Sequence, residues 1–204
     1  MRIAVLGAGN VGSTIGRGLE AKHDVLYAVR DPAAPKYAAL KDRARPVGEA
    51  IDAAEVVILS TPWAATENAI AGAGDFRGKP LLDATNPIGA GFALTHGHDD
   101  SGAEQVQRWA PSARVVKVFN TTGVENMANP AYPDGRAAMF LCGDDEGACA
   151  IAKTLCLDLG FEPFHVGGLS RARVLEPVAM LWIQLALVLG HGRGIALSIA
   201  TRNS

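Results

Sequence analysis

Six residues near the start constrain this chain more than any other stretch. Gly7-Ala-Gly9-Asn-Val-Gly12 stands between an apolar run, residues 3–6, and a segment whose Val11, Ile15 and Leu19 fall on one helical face. A strand, a glycine-rich turn and a helix in that order form the phosphate-binding turn of a βαβ unit. Gly7 permits the tight turn, Gly9 lets the backbone approach a pyrophosphate, and Gly12 lets the helix pack closely on the strand. Asn10 and Val11 open the helix, whose free N–H groups and partial positive charge favour an anion. The string alone is weak evidence, but its position between a strand and an amphipathic helix makes Gly7, Gly9, Asn10, Val11 and Gly12 a dinucleotide site.

The rest of the chain repeats that alternation. Short apolar runs at 25–28, 56–60, 81–83, 115–118 and 138–142, with a weaker one near 45–47, read as strands separated by helical patterns. Ser101-Gly-Ala-Glu104 fits a capping box, so a helix is expected from there to about residue 110. A second helix is expected over 146–159, ended by Gly160 as a left-handed cap, and residues 170–189 read as a third, apolar one. The expected fold is α/β: a Rossmann-type, doubly wound, mostly parallel sheet with a small C-terminal helical part. Residues 1–143 would form the dinucleotide-binding domain, and 144–204 a smaller part that closes the pocket or forms a dimer interface. The stripe of Val174, Val178, Leu181 and Leu185 is too apolar to leave in water and supports a homodimer.

Composition narrows the partners. With 19 Lys and Arg against 21 Asp and Glu, and no basic cluster, nothing supports a nucleic acid or an anionic membrane surface. The most apolar stretch, 179–189, is too short to span a bilayer. The N-terminal apolar run breaks into glycines before a signal-peptide core could form. Three cysteines, Cys142, Cys149 and Cys156, are an odd number. The last two lie about 10.5 Å apart along one helix at 1.5 Å per residue, too far for a disulfide. Free buried thiols and a cytoplasmic location are expected.

The end of the second strand should read the adenosine ribose. Arg30 can form a bidentate pair with the 2′-phosphate of NADP, whereas Asp31 beside it could accept from the 2′-hydroxyl of NAD, so both cofactors stay open. In such sheets ligands lie outside the carboxyl ends of the strands. There the sequence sets Thr61-Pro62-Trp63, Asn86-Pro87 and Asn120. Thr61, Pro62, Trp63, Asn86 and Pro87 are candidates for the cofactor. Trp63, which could flank a flat ring, and Asn86 and Asn120, which could donate to carbonyl or ribose oxygens, are candidates for a second substrate. His96-Gly-His98 lies in a glycine-rich loop without distant partners and is read as a polar loop, not a metal site.

No Ser-Tyr-x-x-x-Lys string is present, and no Lys or His stands in an obvious general-acid context, so no catalytic residue is assigned. A carbonyl reductase normally needs a proton donor, whereas hydride exchange between two rings mainly requires holding them face to face.

Taken together, Gly7 to Gly12, Thr61-Pro62, Thr85-Asn86-Pro87, Lys117-Val-Phe-Asn120-Thr121, Gly143-Asp-Asp145 and Leu175-Glu176-Pro177 resemble the NADPH-dependent reductases of the 5-deazaflavin coenzyme F-420 (F420). That family is itself similar to the cytosolic reductase domain of the six-transmembrane metalloreductases. The resemblance implies NADP at the Gly7 turn and nicotinamide between the Thr61-Pro62 and Asn86 loops. It also implies that a deazaflavin or flavin lies against the C-terminal part. A small imine or β-hydroxyacid reductase, and a non-catalytic NADP-binding redox sensor, are the alternatives. The former usually carries a long helical second domain with a catalytic Lys, for which the present length leaves no room.

Overall fold

The computed structural model describes residues 1–133 and 135–202. Its main sheet is built from β1 (Arg2–Leu6), β2 (Asp24–Val29), β3 (Ala44–Pro46), β4 (Val56–Leu59), β5 (Pro80–Asp83) and β6 (Arg114–Lys117). A two-residue hairpin, β7 (Ala131–Tyr132) and β8 (Gly135–Arg136), stands apart, and β9 (Ala138–Gly143) and β10 (Glu162–His165) complete the main sheet. The strand order is β10-β9-β6-β5-β4-β1-β2-β3. The first six strands are all parallel, in the 3-2-1-4-5-6 order of the doubly wound nucleotide-binding folds. β9 joins β6 antiparallel, and β10 lies parallel to β9 at the edge.

The two faces are covered by helices from different parts of the chain. α1 (Asn10–Leu19), α5 (Val124–Ala128) and α6 (Glu146–Leu159) share one core with Ile3, Val5, Ile58 and Val116. α2 (Val47–Ala53), α3 (Trp63–Ala73), α4 (Gly102–Trp109) and α7 (Ala172–Ile183) share the other with Ala4, Leu6, Val57 and Leu59. Alternate residues of β1 thus feed opposite cores, as a strand buried on both faces must. That is why its sequence is a continuous apolar run.

The expected strands over 25–28, 45–47, 56–60, 81–83, 115–118 and 138–142 stand in place with ends shifted by a residue or two. The helix over 146–159 ends as expected, with Gly160 in the left-handed conformation at φ 93° and ψ 7°. At α4 the capping box is half-formed. Ser101 Oγ accepts from the Glu104 amide, but the Glu104 carboxylate accepts from the Ser101 hydroxyl and from Arg173, not from the Ser101 amide. β10 was not foreseen. Its Glu-Pro-Phe-His sequence is short, carries a proline and has no apolar alternation, as edge strands tolerate. The sheet therefore continues past residue 143, and the part lying outside it begins near Leu169.

α7 gives way to a single π-helical turn, Gln184–Val188, and the chain then runs back without regular structure. Backbone carbonyls dock this tail. Ile195 accepts from Asn126 Nδ2 and Trp182 Nε1, Gly194 from the Tyr132 hydroxyl, and Leu197 from the Ala138 amide. The face of α7 turned to the sheet carries Leu175, Glu176, Ala179 and Trp182. Val174 and Leu181 point outward, 53% and 50% exposed, while Val178 and Leu185 are half-buried, so the apolar stripe is covered only in part. Among the described residues no helix is long and apolar enough to cross a membrane. The three cysteines are free and buried; burial pushes the Cys142 thiol up to about 12 and raises those of Cys149 and Cys156.

Candidate functional site

The chain reverses direction across the sheet between β1 and β4, and there the loops from Leu6 and Leu59 part to leave a crevice. The three glycines divide their roles as the sequence implies. Gly7 has φ +108°, a region open to glycine, and its carbonyl accepts from Ser60 Oγ at 2.7 Å. At Gly12 a Cβ would lie 1.9 Å from the Gly7 carbonyl and 2.3 Å from Ser60 Oγ, so helix and turn touch there. Gly9 is the opposite case, because a Cβ would meet nothing within 4 Å. Its open side faces a cavity of about 660 Å³ lined by Gly7, Ala8 and Gly9 together with Arg30, Thr61 and Pro62.

Gly9 is also the N-cap of α1 and offers no side chain to the helix end. No acidic residue occupies the first turn, so the first N–H groups of Asn10 and Val11 and their partial positive charge are available to an anion. Val11 is half-buried against the core and holds the helix in place. A bare helix N-terminus, a glycine with empty space beside it and a cavity of ligand size fit a dinucleotide pyrophosphate.

At the far end of the cavity Arg30 follows β2. Among the described residues no carboxylate lies within ion-pair distance of it. Asp31, its neighbour, accepts from the Ala33 amide at 3.1 Å and so closes its own turn. Tyr37, Val47, Gly48, Ala64, Ala65 and Asn68 are also among the lining residues. None of these was foreseen, because mostly small or apolar residues on α2, α3 and the segment Pro35–Arg43 carry no chemical signature. Thr61 Oγ1 and Thr66 Oγ1 lie 3.0 Å apart, and Thr66 donates to the Pro62 carbonyl at 3.1 Å, which ties the β4 loop to the first turn of α3.

Trp63 does not line this cavity. Its ring packs 5.3 Å from Trp109 and edge-on to His96 at 5.5 Å. Asn86 and Asn120 meet each other at the ends of β5 and β6. Asn86 Nδ2 donates to the Asn120 carbonyl at 2.9 Å, and Asn120 Nδ2 to Asn86 Oδ1 at 3.1 Å and to the Leu175 carbonyl at 3.3 Å. Asn120 Oδ1 is buried with no donor among the described residues. Phe119 before it is buried at φ +62°, an uncommon conformation for a bulky side chain, at the turn that aims Asn120 back toward Asn86. Pro87 is buried and its carbonyl is held by Thr95.

Behind this pair lies a cluster that periodicity could not reveal. Lys117 Nζ is fully buried, 2.7 Å from Asp83 Oδ2, 3.0 Å from Glu176 Oε1 and 2.8 Å from the Thr85 carbonyl. Asp83 Oδ1 accepts from the Thr85 amide and hydroxyl, and Glu176 accepts from the Gly102 and Ala103 amides at the start of α4. Two carboxylates and one ammonium leave a net negative charge, which the N-terminus of α4 offsets. Burial alone would lower the Lys117 pKa, but the two carboxylates outweigh it and hold the ammonium above its ordinary value. Three oxygens surround the ammonium, of which the Thr85 carbonyl accepts its hydrogen bond. Among the described residues no three His, Cys, Asp or Glu side chains converge to hold a metal.

The strand order and the glycine turn together define a Rossmann-type dinucleotide-binding protein. Residues 2–87 match the family described as NADP oxidoreductase, coenzyme F420-dependent. The crystal structure of an Arthrobacter sp. FB24 protein, whose own assignment as an F420-dependent NADP-reductase is provisional, superposes with a TM-score of 0.89 at 32% identity, covering 98% of this chain and 100% of that one. The chain belongs to this family of oxidoreductases. Metalloreductase STEAP3 of Rattus norvegicus is 29% identical over 133 residues, 65% of this chain; the match spans about a quarter (26%) of that relative's length. A reductive aminase from Aspergillus terreus superposes with a TM-score of 0.67 at 18% identity, covering 93% of this chain and 62% of that one, and shows the fold alone.

Proposed function

We propose that the chain binds NADP(H) along the β1–β4 crevice and exchanges a hydride between its nicotinamide and a deazaflavin or flavin-like ring. The observation that carries this reading is the pairing of an open Gly9 flank with an Arg30 that has no carboxylate partner among the described residues. Gly9 and the amides of Asn10 and Val11 would take the pyrophosphate. Arg30 would take the 2′-phosphate, while Asp31 Oδ1 accepts from the Ala33 amide of its own turn. Thr61, Pro62, Asn86 and Pro87 would border the nicotinamide. When bound, NADPH supplies a hydride at C4. The protein's task is then orientation and exclusion of water.

The side chains nearest that point support such a division of labour. Asn86 and Asn120 brace each other, and the buried Lys117 is held between two carboxylates and the Thr85 carbonyl. Trp63 acts from the rim, through its packing with His96. Residues 1–143 would carry the cofactor, and the later segment would cover the second ring through α7. The outward stripe of Val174, Leu181 and Val188, 50–56% exposed, supports a homodimer in which a second copy covers it, and the buried free thiols suit a reducing, cytoplasmic setting.

The test is NADPH oxidation followed against F420, FMN, ferric chelates and small carbonyls, with C4-deuterated NADPH. With F420, which accepts at a ring carbon, deuterium should arrive in the acceptor ring, and Asn86→Ala should lower turnover by about ten- to a hundredfold through misalignment. Label appearing in solvent with F420 as acceptor would overturn direct transfer, whereas a flavin exchanges its N5 label with water in any case. Turnover confined to imines or carbonyls would favour the small-reductase alternative, and binding with no turnover a redox sensor. Sedimentation of Leu181→Glu tests the dimer, which should fall to a monomer.

A further inference from the structure

The buried charges behind Asn86 do more than fill the joint under α7. We propose that Lys117, Asp83 and Glu176 are positioning residues for the nicotinamide end of the crevice, clamping α7 to the loop that carries Asn86. What that end does rests on the hydride-exchange reading; the clamp itself stands on its contacts.

Every polar group of Thr85, the residue before Asn86, is held by this cluster. Its carbonyl accepts from Lys117 Nζ at 2.8 Å, and its amide and hydroxyl donate to Asp83 Oδ1 at 2.9 and 2.7 Å. Asp83 Oδ2 faces the same ammonium at 2.7 Å, so the turn is gripped from both sides. On α7, Glu176 Oε1 lies 3.0 Å from that ammonium and accepts from the Ala103 amide at 3.1 Å, while Oε2 accepts from the Gly102 amide at 2.9 Å. Leu175, one position earlier on α7, accepts from Asn120 Nδ2, and Asn120 and Asn86 are bonded to each other. The polar contacts therefore close a ring. It runs from Asn86 to Asn120, on to Leu175 and Glu176 of α7, to Lys117, and back to Thr85 beside Asn86. Sterics fix the same corner. A Cβ on Gly102 would stand 3.0 Å from Glu176 Oε1 and 3.1 Å from the Pro87 ring, so α4, α7 and the Asn86-Pro87 loop meet without slack.

None of the three charged side chains is more than 1% exposed, so none can touch a ring in the crevice. Any effect on the chemistry must pass through the residues they hold. Stability alone does not explain the charges either. Replacing a buried ion cluster by neutral groups of similar volume is often neutral or stabilising, because the ions gave up their hydration. What the charges add is direction. A charge-assisted hydrogen bond has a preferred length and angle, whereas apolar burial has neither. A loop and a helix joined only by apolar side chains can slip by a fraction of an ångström, and hydride transfer is sensitive to such slips.

The charge-free variant Lys117→Met, Asp83→Asn, Glu176→Gln keeps the volume and removes the ion pairs. Glu176→Gln alone is the milder change, and decides the matter should the combined variant fail to fold. The Kd for NADP⁺ should stay within about twofold, while single-turnover hydride transfer to F420 slows about ten- to a hundredfold, as misplacement does. The emission lifetime of bound NADPH should shorten, because its nicotinamide is held less tightly. In an Asn86→Ala background the charge-free change should cost no more than about threefold further, since the clamp and Asn86 act as one unit.

Hydride transfer at the wild-type rate in the folded variants would make the cluster structural only and overturn the proposal. A loss that multiplies in full with that of Asn86→Ala would overturn it too, as would an equal loss of NADP⁺ affinity and rate. A wild-type protein that passes no hydride to any acceptor would sink the proposed activity. The NADPH lifetime would then decide the clamp, an unchanged lifetime overturning it.

Discussion

The dinucleotide crevice and the Lys117 cluster sit at the same carboxyl edge of one sheet, yet they treat polar groups in opposite ways. In the crevice the helix N-terminus has no side-chain cap, Gly9 faces empty space, and among the described residues Arg30 has no carboxylate in reach. Under α7 each charged group has a charged or amide partner within about 3 Å (2.7–3.1 Å), and Lys117, Asp83 and Glu176 are excluded from water. Unpartnered groups are affordable only where water or a ligand completes them, whereas buried charges persist only when fully paired. The contrast separates a surface prepared to bind from a joint prepared to hold, and substitutions on the two sides should separate accordingly.

The largest effect belongs to the joint. Lys117→Ala would strand two buried carboxylates, and breaking such a network costs about 3–5 kcal/mol of folding stability. Urea denaturation should show that loss. The combined Lys117→Met, Asp83→Asn and Glu176→Gln variant, which removes the charges together, should recover most of it. The Lys117 pKa is raised in the folded protein, so its contribution is full below the ordinary lysine value near about 10.4 and is lost as pH climbs through the folded value. The alkaline limb of the stability profile should therefore flatten in the combined variant. A fully stable Lys117→Ala protein would break the comparison.

On the binding side, Arg30→Ala should weaken NADP(H) by about 1.5–3 kcal/mol and NAD(H) little. Calorimetry on both cofactors, with urea denaturation of the same variant, should show affinity moving while stability stays. Equal losses for the two cofactors would mean that Arg30 reads something other than the 2′-phosphate.

A smaller, paired test lies within the glycine turn. Gly12→Ala forces a methyl onto the Gly7 carbonyl and should cost about 1–3 kcal/mol of stability, as overpacking does. Gly9→Ala meets nothing in the protein and should leave the melting temperature within a degree or two. It should still weaken NADP(H), because the methyl intrudes where the pyrophosphate would lie. Loss of stability in Gly9→Ala would place that glycine with the joint and erase the distinction.

The sequence by itself determined the local part of this protein. The glycine spacing, the six parallel strands and the Gly160 cap were legible because each rests on a short-range rule: what conformation a glycine permits, and which faces a buried strand or helix must make apolar. The positions of Gly7, Gly9, Gly12, Arg30, Thr61 and Pro62 at one crevice followed from topology alone, since strand ends in such a sheet converge. Other features only the tertiary structure decided. Trp63 pairs with Trp109 and His96, 46 and 33 residues away. Lys117 finds Glu176 across 59 positions, and Val174 and Leu181 of the stripe on α7 point out, not in. Partners so distant leave no periodic trace, and a charge cluster that compensates itself looks in sequence like three unrelated polar residues. Its meaning arises only when folding removes the water that would otherwise have solvated each charge separately.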